Sequence, residues 1–151
     1  MSFEIHPVGT VRCTRINPED DQWDSETSVI ELAPAFSERS LMGLATFSHC
    51  IVVYLFDKAQ WDEAKMSRHP RGNQDWPEVG IFAQRAKDRP NRLGVTVCRI
   101  LEVDGSTLRV EGLDAIDGTP VIDIKPWMNE FGPRGEVTQP QWATELMADY
   151  W

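Results

Sequence analysis

Residues 95–113 read VTVCRILEVDGSTLRVEGL, and this stretch decides the fold. Residues with high strand propensity dominate its first run, Val95 to Val103, and alternate with polar residues in its second run, Thr107 to Leu113. The dipeptide Asp104-Gly105 between the runs accommodates the positive φ angles of a type I′ turn. The stretch therefore predicts a β-hairpin.

The segments outside this hairpin contain more strands and a few short helices. The apolar run from His49 to Phe56 is hydrophobic on both alternating faces, which is typical of a strand covered on both sides in a barrel or sandwich. Asp57 to Met66 favours a helix, and an amphipathic pattern predicts a final helix over about residues 140–151, with an aromatic face that needs a cover. Since no repeated strand–helix–strand pattern occurs, we predict a mostly β barrel with short peripheral helices, without a Rossmann fold.

The composition sets broad limits on the class of protein. A chain of 151 residues with 41% hydrophobic residues can bury a core as one domain, which we expect to span residues 1–151. Three cysteines without a close pair predict reduced packing residues, and no zinc-binding spacing appears, so no metal is expected. No apolar run is long enough for a membrane span and no secretory signal opens the chain, so we expect a cytoplasmic protein.

Charge is distributed unevenly along the chain. The 24 acids and 15 bases give a net charge of −9, which argues against sequence-independent nucleic-acid binding and against a DNA partner. Acids are concentrated between Asn17 and Glu31, whereas eight bases lie between Lys65 and Arg99. The basic stretch has two interpretations: a local surface for a phosphate or a short single strand, or a set of solvated arginines.

Two motifs flank the hairpin. Residues 80–94 read GIFAQRAKDRPNRLG and residues 113–127 read LDAIDGTPVIDIKPW. The first resembles the Gly-Val-Phe-Ala-Thr-Arg and Arg-Pro-Asn-Pro-Ile-Gly pattern of the TsaA-like, or TrmO, family. The second resembles the family's Leu-Asp-x-x-Asp-Gly-Thr-Pro-x-x-Asp-Ile-Lys-Pro-Tyr motif, and weaker similarity extends over most of residues 5–131.

The resemblance implies both a fold and an activity. Members of the family are β-barrels, usually homodimers, that bind S-adenosylmethionine and methylate an adenine N6-type amine in a tRNA anticodon loop. The chain has no Gly-x-Gly-x-x-Gly loop after a strand, which agrees with cofactor binding outside a Rossmann fold. Two alternatives stay open: a small-molecule methyltransferase on the same scaffold, and a non-catalytic S-adenosylmethionine-binding module.

The family motifs also imply particular site residues. Four positions match cofactor contacts of the family: Arg85, Val95, Leu113 and Asp114. Arg85 can pair with the cofactor carboxylate, and Asp114 can accept hydrogen bonds from its ribose or ammonium group. Phe82 or Trp127 can stack on the adenine.

Further residues are candidates for the substrate side of the site. By residue type, Asp117 can orient an acceptor amine and take its proton, although aspartates in such a turn more often bond to the neighbouring backbone. Arg89 and Asn91 either meet a substrate phosphate or organise their own loop. Lys125 either contacts substrate or pairs with Asp123.

The chain departs from the family pattern at several positions. Residues 17–25, NPEDDQWDS, stand where members carry a Pro-Arg-Gln element that contributes to the cofactor site. Trp127 replaces the closing tyrosine of the second motif, and these 151 residues hold no counterpart of the separate C-terminal domain of the bacterial tRNA enzymes. The methyl acceptor therefore stays open: a basic stretch that lines the cofactor site favours RNA, whereas one paired with the acidic loop favours a small substrate.

Overall fold

Eight strands and one α-helix form the regular structure, in a computed structural model that describes all 151 residues. The strands are β1 (Gly9–Arg12), β2 (Thr27–Leu32), β3 (His49–Leu55), β4 (Ser67–Arg68), β5 (Val79–Gly80), β6 (Leu93–Asp104), β7 (Thr107–Glu111) and β8 (Pro120–Pro126). The helix α1 is Gln141–Leu146. Single 3-10 turns cover Glu38–Leu41, Leu44–Thr46, Pro70–Gly72, Ile81–Ala83, Pro90–Arg92 and Asn129–Phe131.

Six of the strands close into a barrel in the order β1-β2-β7-β6-β3-β8, and β8 pairs with β1 to complete it. Every neighbouring pair is antiparallel. The short strands β4 and β5 pair separately with each other. Closure leaves the barrel without a free edge strand, so no row of unpaired backbone groups is exposed. The predicted mostly β barrel with short peripheral helices is confirmed.

The barrel interior is filled by alternate side chains of β3 and its neighbours. Cys50, Val52 and Tyr54 of β3 point inward and are buried, whereas Ile51 and Val53 point outward and stay half-buried. The other buried core residues are Val11, Ile30, Leu41, Cys98, Leu108, Val110, Leu113, Ala115 and Val121. Burial of an aliphatic side chain of this kind stabilises the fold by about 1.5–3 kcal/mol.

The predicted hairpin is present as β6 and β7, but its turn differs from the prediction. Asp104 pairs with Thr107 inside the ladder, so the two-residue loop is Gly105-Ser106. Only Gly105 has a positive φ angle, +58°, which is the pattern of a type II′ turn with glycine first. The type I′ assignment is therefore wrong, because Asp104 belongs to the strand.

The predicted helix over Asp57 to Met66 is also wrong. The side chain of Asp62 accepts a hydrogen bond from the amide of Ala64 at 3.0 Å, which favours a local turn over a helix. Arg92 donates to the carbonyl of Ala59 at 3.1 Å and to a second carbonyl in the same loop. These contacts hold the segment as a loop against the start of β6.

The final helix is shorter than the predicted 140–151. It ends at Leu146, and the following residues leave the helix as turns. Main-chain hydrogen bonds then join the carbonyls of Asp149 and Tyr150 to the amides of Gln22 and Trp23, at 3.0 and 2.9 Å. We call residues 145–151 the C-terminal strap. None of the helices in the structure combines the length and the apolar character needed to cross a membrane.

One glycine in the barrel leaves room for the ring of Tyr54. Gly94 pairs with Tyr54 across β3 and β6, and an added Cβ would lie 2.5 Å from two carbons of that ring. We expect Gly94→Ala to lower the free energy of unfolding by about 1–3 kcal/mol, because the buried ring must shift. Urea unfolding measures the change. Gly80→Ala is the matched control, because a Cβ there meets nothing within 4 Å, and equal unfolding midpoints for the two variants would contradict the prediction.

Candidate functional site

The Asp114 carboxylate lies at one end of the barrel and is held by two hydroxyl groups from neighbouring strands. The Tyr54 hydroxyl donates to Asp114 Oδ1 at 2.9 Å, and the Thr96 hydroxyl donates to the same oxygen. Tyr54 lies near the end of β3 and Thr96 near the start of β6, so the barrel register places both donors together. Gly112, with a φ angle of +82°, turns the chain after β7 into this position.

The C-terminal strap supplies a third hydroxyl donor to the same carboxylate. Tyr150 donates to Asp114 Oδ2, so each carboxylate oxygen has a protein partner. Hydrogen bonds to an ionised carboxylate are shorter and about twice as strong as neutral ones. Asp114 is therefore fixed by residues from three parts of the chain.

Both tyrosines keep their protons. Burial, and then the nearby Asp114 charge, raise the pKa of Tyr54 and the pKa of Tyr150 well above the usual value of 10.0. Since a raised pKa favours the neutral phenol, both side chains stay hydrogen-bond donors throughout the neutral range. The two tyrosine hydroxyls therefore remain hydrogen-bonded to the carboxylate throughout the neutral pH range.

Arg85 joins this group from the loop before β6. Its guanidinium donates to the carbonyl of Val95 at 2.5 Å, and its positive charge opposes the rise in the pKa of Tyr150. Val95 itself is 44% exposed on the outer face of β6. Leu113 is fully buried in the core, so only its main chain can face a ligand. The structure thus brings the four predicted cofactor-contact positions to one end of the barrel.

The two aromatic candidates for stacking do not join this group within one chain. Trp127 lies beside the start of β3, where its amide donates to the carbonyl of His49 at 3.0 Å, whereas Asp114 lies near the end of that strand. Phe82 is 82% exposed in the turn that follows β5. Neither ring packs beside Asp114.

Asp117 and Lys125 have structural partners. The Asp117 carboxylate accepts a hydrogen bond from the amide of Cys13 at 3.1 Å, which ties the turn before β8 to the end of β1. Lys125 lies 2.7 Å from the Asp123 carboxylate on β8. These contacts match the structural alternative for each residue, and none of them involves Asp114.

Most bases between Lys65 and Arg99 also have partners. Four arginines donate to main-chain carbonyls: Arg68, Arg85, Arg89 and Arg92. Three others form ion pairs: Lys65, Arg71 and Arg99. Lys87 forms neither contact and is exposed, and Asn91 is exposed in a left-handed turn with a φ angle of +59°. The stretch is therefore mainly structural, with a small free basic surface.

The acidic loop, residues 17–25, is anchored by two of the chain's arginines. Arg71 lies 2.9 Å from Asp21, and Arg15 stacks on the Trp23 ring with its guanidinium carbon 3.7 Å from the ring centroid. Arg15 also donates to the carbonyl of Gln22 at 3.0 Å. Its arginine contacts and its hydrogen bonds to the C-terminal strap hold the loop at the edge of the site.

The site offers binding and orientation rather than acid–base or nucleophilic chemistry. Burial raises the pKa of the Cys50 thiol to about 12 and raises the pKa values of the Cys98 and Cys13 thiols, which disfavours reactive thiolates. No group of three or more histidine, cysteine or acidic side chains is positioned to hold a metal. A fixed carboxylate beside an arginine suits a ligand that carries both donor groups and a negative charge.

Three residues of the site escaped prediction from the sequence: Tyr54, Thr96 and Tyr150. Tyr54 carried a usable signal, because a buried tyrosine hydroxyl usually finds a hydrogen-bond partner. Tyr150 carried a weaker one, since it lies on the aromatic face that needs a cover. Nothing in the spacing of these residues links them to Asp114.

Several known proteins are similar to this chain in sequence. Residues 14–132 match the model of the family described as tRNA-methyltransferase O N-terminal domain. A probable S-adenosyl-L-methionine-binding protein of Methanothermobacter thermautotrophicus is 39% identical over 139 residues, which cover 89% of this chain and 97% of the relative. The human tRNA (adenine(37)-N6)-methyltransferase is 36% identical over 113 residues, which cover 75% of this chain and 24% of the enzyme.

Other relatives are longer than this chain. A probable S-adenosyl-L-methionine-binding protein of Archaeoglobus fulgidus is 36% identical over 157 residues, and the match spans 92% of this chain but 42% of the relative. The crystal structure of TrmO from Pseudomonas aeruginosa superposes with a TM-score of 0.74 at 27% identity, covering 91% of this chain and 62% of that one. The match of the family model over residues 14–132 and this shared barrel lead to one conclusion: the chain belongs to the tRNA-methyltransferase O N-terminal domain family.

Proposed function

We propose that the chain binds S-adenosylmethionine around Arg85 and Asp114 and transfers its methyl group to an adenine amine of a tRNA. The observation that carries the proposal is the Asp114 carboxylate fixed by three hydroxyls. Arg85 binds the carbonyl of Val95, the residue before the Asp114 partner Thr96, and both Arg85 and Asp114 match the cofactor-binding motifs of the family. The names of the relatives support it, because they include S-adenosyl-L-methionine-binding proteins and tRNA adenine N6-methyltransferases.

The residues present fit the methyl donor. A carboxylate can accept about four hydrogen bonds, and the hydroxyls of Tyr54, Thr96 and Tyr150 use three of these positions on Asp114. One acceptor position is left on Asp114 for a hydrogen-bond donor of the ligand, from a ribose or an ammonium group. Arg85 can pair with the carboxylate of the same ligand.

Alignment is the main task of the protein in this reaction. S-Adenosylmethionine supplies an activated methyl group on a positively charged sulfur. The chain has to hold that group in line with the acceptor nitrogen and exclude other geometries. We propose that Asp114, Arg85 and the Val95 carbonyl orient the methyl donor, S-adenosylmethionine. We assign Asp117 no role in proton transfer, because its carboxylate accepts a hydrogen bond from the amide of Cys13.

The tRNA acceptor is supported by a small basic surface next to Arg85. Lys58 and Lys87 are exposed and belong to none of the ion pairs of the structure. Their loops lie side by side, since the amide of Gln60 donates to Asp88 Oδ1 at 3.2 Å. A single-stranded loop suits such a surface, because its bases can enter a pocket without opening a duplex. The proposal places the protein in the cytoplasm, with tRNA rather than DNA as its nucleic-acid partner.

A small-molecule acceptor is the second candidate. Two observations favour it: the net charge of −9, and the pairing of Arg71 with Asp21 of the acidic loop, which removes one base from any RNA surface. A non-catalytic binding module is the third candidate, in line with the names of the archaeal relatives.

We also propose that the chain forms a homodimer through the outer face of β3 and β6. Ile51 pairs with Val97 and Val53 pairs with Val95, so four apolar side chains form one outward patch. Val95 and Val97 are 44% and 45% exposed on the part of β6 that pairs with β3. A contiguous patch of this kind marks an interaction surface.

The first prediction from the proposed function concerns cofactor affinity. We expect Arg85→Ala and Asp114→Ala each to weaken S-adenosylmethionine binding at least tenfold, because each removes a charged partner of the ligand. Isothermal titration calorimetry measures the effect. Arg109→Ala, which removes an exposed arginine paired only with Glu102, is the matched control and should bind as the unaltered protein does. Unchanged affinity in both site variants would refute the assigned site.

The second prediction concerns the methyl acceptor. With methyl-labelled S-adenosylmethionine, total RNA and a metabolite extract, we expect label to enter the tRNA fraction as an N6-methylated adenine, since the basic surface favours RNA. Nucleoside digestion followed by chromatography identifies the product. Label confined to the metabolite fraction would favour the small-molecule candidate, and cofactor binding without any transfer would favour the binding module.

The basic surface supplies the control for this experiment. Lys58→Ala combined with Lys87→Ala should lower methylation of tRNA by about tenfold at low salt, because phosphate contacts are lost, and leave cofactor affinity unchanged. Arg39→Ala combined with Arg134→Ala removes the same charge from exposed positions outside this surface and should have little effect.

The third prediction concerns the oligomeric state. Light scattering should report a mass of twice 17.2 kDa, and Val97→Glu should shift the protein towards the monomer, because a charge in an apolar interface loses its hydration. Val137→Glu, at an exposed apolar position outside the barrel strands, is the control. A monomer in the unaltered protein at all concentrations would contradict the proposal.

A further inference from the structure

We propose that the C-terminal strap is part of the methyl-donor site and that Tyr150 is a positioning residue that fixes the Asp114 carboxylate for the ligand. This inference rests on the proposed function. The strap lies outside the residues matched by the family model, which end at 132.

The strap is docked on the rest of the chain at several points. The amides of Gln22 and Trp23 donate to the carbonyls of Asp149 and Tyr150. At the other end of the strap, Trp76 Nε1 donates to the Glu145 carboxylate at 2.8 Å. Contacts at both ends hold the segment in register against the barrel.

The docking surface for the strap is a strained loop that is itself fixed. Gln22 adopts a φ angle of +69°, which is uncommon for a residue other than glycine. Arg15 holds the Gln22 carbonyl at 3.0 Å, and Trp23 is buried beneath the same guanidinium. In this conformation the two amides point to the strap. The acidic loop, which stands where the family carries its Pro-Arg-Gln element, therefore serves here to dock the C-terminal strap.

Tyr150 controls the carboxylate oxygen that the barrel leaves free. Tyr54 and Thr96 both bind Oδ1, and Tyr150 alone binds Oδ2. Without the Tyr150 hydroxyl, Oδ2 has no protein donor. The hydrogen bonds to Oδ1 then hold only one oxygen of the carboxylate, and its plane can rotate. The affinity of a ligand for Asp114 then falls, because binding has to order the carboxylate and this costs entropy.

The position of Tyr150 is compatible with a bound ligand. Three hydroxyls leave one acceptor position on the carboxylate, so Tyr150 and a ligand donor can share Asp114. Arg85 donates to the carbonyl of Val95, and the next residue, Thr96, shares the Asp114 carboxylate with Tyr150. The strap therefore lies close to both proposed contacts of the cofactor. The strap consequently forms a wall of the site, and ligand binding should tighten its docking.

Tyr150→Phe tests this role, because it removes the hydroxyl and keeps the ring that contacts Trp151 edge-on. We expect the dissociation constant for S-adenosylmethionine, measured by calorimetry, to rise about three- to tenfold, because binding then has to order the Asp114 carboxylate. In the methyl-transfer assay the KM for the donor should rise while kcat at saturation stays within about twofold. Thr144→Ala, in α1 just before the strap and bonded through its side chain only to Gln139, is the control.

Hydrogen exchange gives an independent reading of the strap. The amides of Gln22 and Trp23 should be protected in the free protein and exchange more slowly when S-adenosylmethionine is added. Faster exchange on addition of the ligand, or unchanged affinity in Tyr150→Phe, would overturn the strap's role while leaving cofactor binding intact. Absence of binding in the unaltered protein would instead overturn the proposed function, and the strap's role with it.

Discussion

A single carboxylate connects the barrel to the C-terminal end of the chain. Asp114 accepts hydroxyl donors from β3, from β6 and from the C-terminal strap, so its position depends on the register of two strands and on the docking of a segment 36 residues away. A carboxylate partly removed from water needs such donors, because its desolvation is otherwise costly. The need to satisfy this charge therefore constrains β3, β6 and the strap together.

The barrel makes that arrangement rigid. Closure of β1 onto β8 removes the edges along which strands could slip, and a slip of one residue would turn Tyr54 and Thr96 away from the interior. Gly94 contributes by leaving space for the Tyr54 ring, whose hydroxyl reaches Asp114. The missing side chain at Gly94 thus helps to fix the orientation of Tyr54, and the Tyr54 hydroxyl reaches Asp114 at the end of a mainly apolar core.

Periodicity in the sequence predicted the barrel strands well and the loops poorly. The hairpin of β6 and β7 and the buried strand β3 follow from local apolar patterns, and these are confirmed. The helix expected over residues 57–66 is absent because Arg92, distant in sequence, binds the carbonyls of that segment. Motif resemblance indicated Arg85 and Asp114, but the donors to Asp114 come from segments whose meeting only the tertiary structure reveals. Tyr150 is the clearest case, because its partner depends on a strap that leaves its helix early.

Part of the charge of the acidic loop is paired within the protein. Arg71 pairs with Asp21, and Arg15 pairs with Glu19 and stacks on Trp23, so the loop's charges are partly neutralised within the protein. The loop can therefore lie next to the site without imposing its full negative charge on Arg85. The free bases at the site are then Lys58 and Lys87, which lie on the neighbouring loops. Because local pairing and not net charge sets the potential at short range, a formal charge of −9 is compatible with the tRNA proposed as the methyl acceptor.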